Sequence, residues 1–253
     1  MRPNEVKRKL LLGEPVIGCF VGFPSAEAVE ICGYAGYDFV MIDAEHGPMT
    51  TESVYHMILA AEVSGTTPLV RVPENEPPTI LRHLDIGAAG VMVPQVNSAD
   101  EARAAVQATK YHPHGRRGLA GVRASRFGIG QTLREYTEFS NRETLVIVQI
   151  ENIAGVDRVP EILQVPGIDV LFVGPSDLSQ SMGYPGQLTH PDVLATMARI
   201  RQMASGTGVA LGMITGSAED TNHLLEQGYR MIGASAGGLL AGASRELLAG
   251  VRR

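Results

Sequence analysis

The side chains in this sequence that have the chemistry of a reactive site stand at or just beyond the ends of short apolar runs. Asp43, Glu45 and His46 follow Phe39-Val40-Met41-Ile42, and Arg71 follows Pro68-Leu69-Val70; Gln149 and Glu151 close the run from Leu145, and Asp177 comes shortly after Val170 to Val173. If these runs are parallel strands of one sheet, the polar groups at their C-terminal ends share one rim, where α/β proteins place their chemistry. Glu151 and Asp177 belong to consecutive runs, so their carboxylates approach each other. Two bare carboxylates that close raise each other's pKa unless a cation neutralises them. A site offering only oxygen donors fits a hard, octahedral ion, magnesium or manganese, with cobalt also accommodated. Two protein ligands leave positions open, and a 2-oxo acid can fill them with its keto and carboxylate oxygens while an enolate is stabilised.

The neighbouring groups suit the same chemistry. An always-charged guanidinium at Arg71 can hold developing oxyanion charge, and Gln149 can serve the same region with a neutral hydrogen bond. His46 can relay a hydroxyl proton if a carboxylate such as Asp43 or Asp85 orients its ring. Gly174-Pro175-Ser176-Asp177-Leu178 reads as a tight turn whose backbone N–H groups can receive a substrate carboxylate, Ser176 through its amide. Each has a structural alternative: Asp43 or Asp177 as a helix cap, Arg71 as an ion-pair partner, Gln149 as a barrel-interior residue, His46 as a satisfied structural histidine. His83, His112 and His114 read as surface residues. The glycine-rich stretch Gly233 to Gly238 fits either phosphate binding or close packing of small residues.

These residues need a scaffold, and the chain supplies one by regular alternation. Short, continuously apolar runs fall at Val16 to Val21, Asp38 to Ile42, Thr67 to Val72, Gly90 to Pro94, Leu145 to Ile150, Val170 to Gly174, Val209 to Met213 and Met231 to Ala234. Helical stretches separate them at Ala26 to Ala35, Thr51 to Ser64, Pro78 to Ile86, Ala99 to Lys110, Val156 to Leu163, Pro191 to Ser205 and Ala218 to Gln227, with a last one from Gly238 to Gly250. Strands that are apolar throughout and separated by helices form a parallel sheet covered on both faces. Eight such units in 253 residues predict a single (β/α)8 barrel, one domain from 1 to 253. The connection from Tyr111 to Glu143 after the fourth unit exceeds an ordinary loop, and a short helix is expected within it around Thr132 to Phe139.

Composition narrows the function classes. With 44% hydrophobic and 19% charged residues the chain is ordinary globular protein, and no apolar stretch reaches the roughly 18 residues of a membrane span. The N-terminal apolar run is too short for a secretory core, so a cytoplasmic protein is expected. A net charge of −6 argues against nucleic acid as a partner. Cys19 and Cys32 lack metal-ligand spacing and read as core residues.

At these residues the sequence resembles the HpcH/HpaI family of metal-dependent pyruvate aldolases. The carriers are Tyr37-Asp38-Phe39-Val40-Met41-Ile42-Asp43-Ala44-Glu45-His46, Leu69-Val70-Arg71-Val72, Gly87-Ala88-Ala89-Gly90-Val91-Met92-Val93-Pro94, Val148-Gln149-Ile150-Glu151 and Phe172-Val173-Gly174-Pro175-Ser176-Asp177-Leu178-Ser179. The resemblance implies Glu151 and Asp177 as metal ligands, Arg71 and Gln149 as pyruvate contacts, and His46 as a proton-transfer residue paired with Asp85. It further implies carboxylate binding near Gly174, Ser176 and Asp177. The implied reaction is reversible cleavage of 4-hydroxy-2-oxo acids to pyruvate, or an analogue such as hydroxypyruvate, and an aldehyde. A homohexamer built as a trimer of dimers, with the C-terminal helix exchanged between barrels, is implied as well. The chain departs from the family pattern at Phe20, where tryptophan is common, at Gly47 and Met49, and at Ala236, where an acidic residue is frequent. Two rival readings remain: an oxaloacetate decarboxylase or related lyase using the same enolate, and a barrel that only binds a carboxylate.

Overall fold

The computed structural model describes residues 2–252. Eight strands close into a barrel in sequence order: β1 Val16–Val21, β2 Phe39–Asp43, β3 Thr67–Arg71, β4 Gly90–Val93, β5 Leu145–Ile150, β6 Val170–Val173, β7 Ala210–Ile214 and β8 Met231–Ser235. Every neighbouring pair is parallel, and β1 closes against β8. The helices are α1 Glu5–Leu11, α2 Ala26–Tyr34, α3 Thr51–Ser64, α4 Pro77–Asp85, α5 Ala99–Thr109, α6 Leu133–Glu143, α7 Ile153–Val156, α8 Val159–Ile162, α9 Pro175–Ser181, α10 Pro191–Ala204, α11 Ala218–Glu226 and α12 Ala236–Ala249. The expected (β/α)8 architecture is present.

Local chemistry sets the helix starts. Ser25, Thr50, Ser98 and Ser217 each accept the backbone N–H three residues on, satisfying a donor that a helix terminus otherwise leaves free. Thr132 and Glu135 form a reciprocal capping box, and α6 extends four residues beyond the expected Phe139, to Glu143. The stretch expected as one helix from Val156 to Leu163 is instead α7 and α8, with Pro160 in the first turn of the second, where its missing N–H is harmless. The expected turn after β6 is the start of a helix, because Pro175 opens α9 directly at the strand end. His83 is also corrected: it is buried in α4, with Nδ1 2.8 Å from the Thr79 carbonyl oxygen, and burial pushes its pKa down.

Strand alternation divides the apolar residues between two cores. Val40, Ile42, Val70, Val91, Val148 and Val173 point outward and pack under the helices. Phe20, Phe39, Met41, Leu69, Met92, Ile147, Phe172 and Met231 fill the barrel interior. The rings of Phe20 and Phe172 fit only because Gly233 and Gly212 stand opposite, where a β-carbon would overlap them. Their centroids are 5.6 Å apart, and together they form a floor beneath the polar mouth. At the other end α1, which the sequence pattern did not reveal, closes the base: Val6 is fully buried in the interior cluster, and Asn4 donates to the carbonyls of Ala89 and Glu143.

Candidate active site at the barrel mouth

Asp43 and Arg71 are register partners on β2 and β3, so both point inward at the same height. Arg71 grips the carboxylate in a fork, Nε to Oδ1 at 2.9 Å and Nη2 to Oδ2 at 2.5 Å. Both residues are buried, and the guanidinium carbon lies 5.6 Å from the centroid of the Phe20 ring. Burial pushes the Asp43 carboxyl up, but the hydrogen bonds and charge of Arg71 outweigh it and hold the pKa below the usual value. Asp43 Oδ1 also accepts the backbone N–H groups of Glu45 and His46, each at 3.2 Å. Asp43 therefore anchors the guanidinium and the loop carrying His46. Its carboxylate holds the histidine backbone, whereas the sequence reading offered it as a partner for the ring.

Glu151 leaves the end of β5 and is 1% exposed. Its Oε1 accepts the backbone N–H of Gln95 at 2.9 Å, and its Oε2 accepts from Gln149 Nε2. Gln95, a residue that sequence reasoning missed, reaches this position in the left-handed region, φ 54°, which a side chain of this kind rarely adopts. Gly174 is needed here too: a β-carbon would lie 2.6 Å from Glu151 Oε2 and 2.7 Å from Gln149 Nε2. Burial is the main cause of a Glu151 pKa raised to about 7, with the negative charges of Glu45 and Asp177 adding to it.

Asp177 is the third residue of α9 and half-buried, and α9 has no side-chain cap. Among the described residues its carboxylate makes no hydrogen bond, which removes the capping alternative and leaves both oxygens free beside Glu151. Gln149 is 2% exposed, and its Oε1 is buried without a partner among the described residues. Ser176 is exposed in the first turn of α9, its carbonyl accepting from Ser179 Oγ at 2.7 Å.

Asp43, Glu45 and Glu151 thus face one fixed cation, Arg71, and Asp177 faces Glu45 and Glu151. This surplus of negative charge, with free lone pairs on Asp177 and Glu151, fits a divalent ion. Among the described residues no group of three or more His, Cys, Asp or Glu side chains could hold one. Two carboxylates with the remaining positions open match that geometry.

The structure does not bring Asp85 to His46 within one chain. Asp85 ends α4 at the base of the barrel, where Arg117 Nη2 donates to it at 2.7 Å. The carboxylate facing the His46 ring belongs to Glu45, with Oε2 3.8 Å from Nε2. A groove of about 1380 Å³ also lies at the base, lined by residues including Arg117, Arg123, Tyr136 and Phe139. It is remote from the strand ends that carry Glu151 and Arg71.

Residues 16–241 match the family model described as HpcH/HpaI aldolase/citrate lyase. The chain is 38% identical to a 2-dehydro-3,6-dideoxy-6-sulfogluconate aldolase of Pseudomonas putida over 93% of its own length and 92% of the relative's. It is 36% identical to a hydroxypyruvate/pyruvate aldolase of Roseobacter denitrificans, over 90% and 89%. A crystal structure of an HpcH/HpaI aldolase/citrate lyase family protein from Burkholderia cenocepacia superposes with a TM-score of 0.93 at 39% identity, covering 99% of this chain and 100% of that one.

Proposed function

The chain belongs to the HpcH/HpaI aldolase/citrate lyase family, and from that membership we propose that its mouth cleaves 4-hydroxy-2-oxo acids to pyruvate, or hydroxypyruvate, and an aldehyde. The observation that carries this reading is the pair Glu151 and Asp177, the first held by Gln95 and Gln149 with a lone pair to spare on each oxygen and the second without a hydrogen bond among the described residues, beside a guanidinium already fixed in place. Glu151 and Asp177 are the ligands of the divalent ion, with magnesium or manganese the best match to an all-oxygen site and cobalt an acceptable substitute. The ion, when bound, supplies a Lewis acid for the keto oxygen of the substrate.

The protein's own groups divide the remaining work. Arg71, held by Asp43, presents its charge where the keto oxygen becomes an enolate oxygen, with no reorganisation required at that moment. Gln149 fixes Glu151 through its amide nitrogen; its free atom is an acceptor, so its contact is with a hydroxyl or water rather than with the substrate carboxylate. That carboxylate is received by the backbone N–H groups of Ser176 and Asp177 at Gly174. His46 takes the C4 hydroxyl proton, the C3–C4 bond breaks to release the aldehyde, and the bonding pair moves into the enolate. Protonation at C3 then gives pyruvate.

A pairing of His46 with Asp85 requires a second copy of the chain, since one chain holds these residues at opposite ends. The exposed leucines Leu239, Leu240, Leu247 and Leu248 of α12 are consistent with a helix covered by a neighbour, as in a hexamer with exchanged C-terminal helices. The deciding experiment incubates the protein with pyruvate in deuterated water, with and without magnesium or manganese, and follows the methyl signal. Exchange that requires the metal supports the reading, and exchange that persists in excess chelator overturns it. A panel of aldehydes then identifies the acceptor.

A further inference from the structure

The fork to Asp43 accounts for only one edge of the Arg71 guanidinium. Nε and Nη2 face the carboxylate, while Nη1 has no hydrogen bond among the described residues and is open to the mouth. A two-point fork keeps the two planar groups in line but leaves the guanidinium able to tilt about the line that joins them. Tilt moves Nη1, the donor left for the substrate. A contact on the flat face of the guanidinium removes that freedom, and Phe20 supplies it. Phe20 pairs with Met41, and Asp43 lies two residues further along the same face of β2, so the ring stands one layer beneath the fork. The guanidinium carbon is 5.6 Å from the ring centroid, within the range over which the negative face of a ring attracts a cation. Met41 and Leu69, register partners in the same layer, have no such face.

The ring is itself locked. It is 6% exposed, and a β-carbon at Gly233 would lie 2.5 Å from its Cε2. Phe172 packs against it with the planes tilted by 49°, and Gly212 leaves the room that Phe172 needs in turn. We propose that Phe20 is a positioning residue for Arg71: its ring fixes the tilt of the guanidinium, so that Nη1 is aimed at the future enolate oxygen before the substrate arrives. A donor oriented in advance stabilises developing charge without reorganisation at the moment of reaction. Phe20 acts through Arg71 and exchanges no proton with the substrate. An aliphatic side chain of similar volume fills the space but gives the buried cation no electrostatic partner on that side. The assignment deepens the aldolase reading and rests on it for what Arg71 stabilises.

The test compares the full-length wild type with Phe20→Met and Phe20→Leu, which fill the space without a π-face, with Phe20→Tyr, which keeps it, and with Arg71→Ala alone and combined with Phe20→Met. The first readout is the NMR signal of the Arg71 Nε–H in metal-free protein. The face of the ring shields this proton, so its signal should move downfield in Phe20→Met and Phe20→Leu and stay near its wild-type position in Phe20→Tyr. The second is metal-dependent exchange of deuterium into the methyl group of pyruvate. Its kcat should fall about tenfold in Phe20→Met with KM little changed, and Phe20→Tyr should recover most of the loss. In the Arg71→Ala background Phe20→Met should lower the rate less than about twofold further, because the group through which Phe20 acts is gone. Three results would each overturn the proposal: an unmoved Nε–H signal in both non-aromatic variants, a loss in Phe20→Tyr as large as in Phe20→Met, or a loss undiminished in the Arg71→Ala background. Because the NMR readout needs no turnover, it decides whether Phe20 positions Arg71 even if exchange into pyruvate fails in the wild type and the aldolase reading falls.

Discussion

Glu151 at the mouth of the barrel and Lys110 at its base are both almost fully buried, and burial pushes each to a pKa of about 7, one from below and one from above. Their surroundings differ. Lys110 donates to the carbonyls of Thr144 at 2.6 Å and Asn141 at 3.0 Å, and the base around it is a set of matched ions: Lys7 with Asp169, Lys9 with Asp38, Arg117 with Asp85 and Arg123 with Glu62. Glu151 shares its end of the barrel with three more carboxylates and one guanidinium, and among the described residues the oxygens of Asp177 are unengaged. A perturbed pKa is therefore shared by a structural and a functional position. Uncompensated charge with open acceptor positions is what separates the mouth from the base.

Removing the carboxylate of Glu151 or of Asp177 is the most severe way to break this contrast. Glu151→Ala and Asp177→Ala should each abolish turnover at saturating magnesium or manganese, with the double variant no worse than either single one, as measured by pyruvate release. Retained activity in either would move the cation elsewhere. Arg71→Ala should lower kcat by roughly 10²–10³, the effect of deleting an oxyanion donor. It should also lower unfolding stability by roughly 3–5 kcal/mol, because it leaves the Asp43 charge buried and unpaired. Denaturant unfolding beside steady-state kinetics separates the two effects.

The two shifted groups predict opposite pH slopes in protein stripped of divalent ions. Native Glu151 keeps its proton up to about 7 while the unfolded carboxyl loses it near 4.5, so stability falls as pH rises through that window. Unfolded Lys110 keeps its proton up to 10.5 while the native amine loses it at about 7, so stability rises with pH between those values. Each arm is on the order of a few kcal/mol. Thermal melts across pH should show Glu151→Gln flattening the acid arm and Lys110→Met the alkaline arm; metal should reverse the acid arm alone, since binding requires the Glu151 carboxylate. The smallest effect concerns the base: Lys7→Met should leave kcat within about twofold, and borohydride with pyruvate should trap no lysine adduct, because no step uses an amine.

Much of the site was legible in the sequence because a barrel places the residues that close its strands on one rim. Arg71, Gln149, Glu151 and Asp177 could be assigned to the mouth from that rule alone, and the apolar runs were enough to number the strands. Helix details were less legible: α1 has only two turns and no long apolar period, and the break at Pro160 lies within a stretch whose periodicity continues past it. Gln95 left no signal, since its role belongs to a backbone N–H aimed by a left-handed φ.

The sequence by itself determined the barrel, the rim and the residue types on it, since hydrophobic period and strand-end position are local properties of the chain. Only the tertiary structure decided which groups meet. It gave Asp43 to Arg71 and the His46 loop, Asp85 to Arg117, and Glu45 to the neighbourhood of the His46 ring. The physical reason is that a carboxylate's partner is fixed by strand register and by the end of the barrel at which its element terminates. Both arise only when the sheet closes.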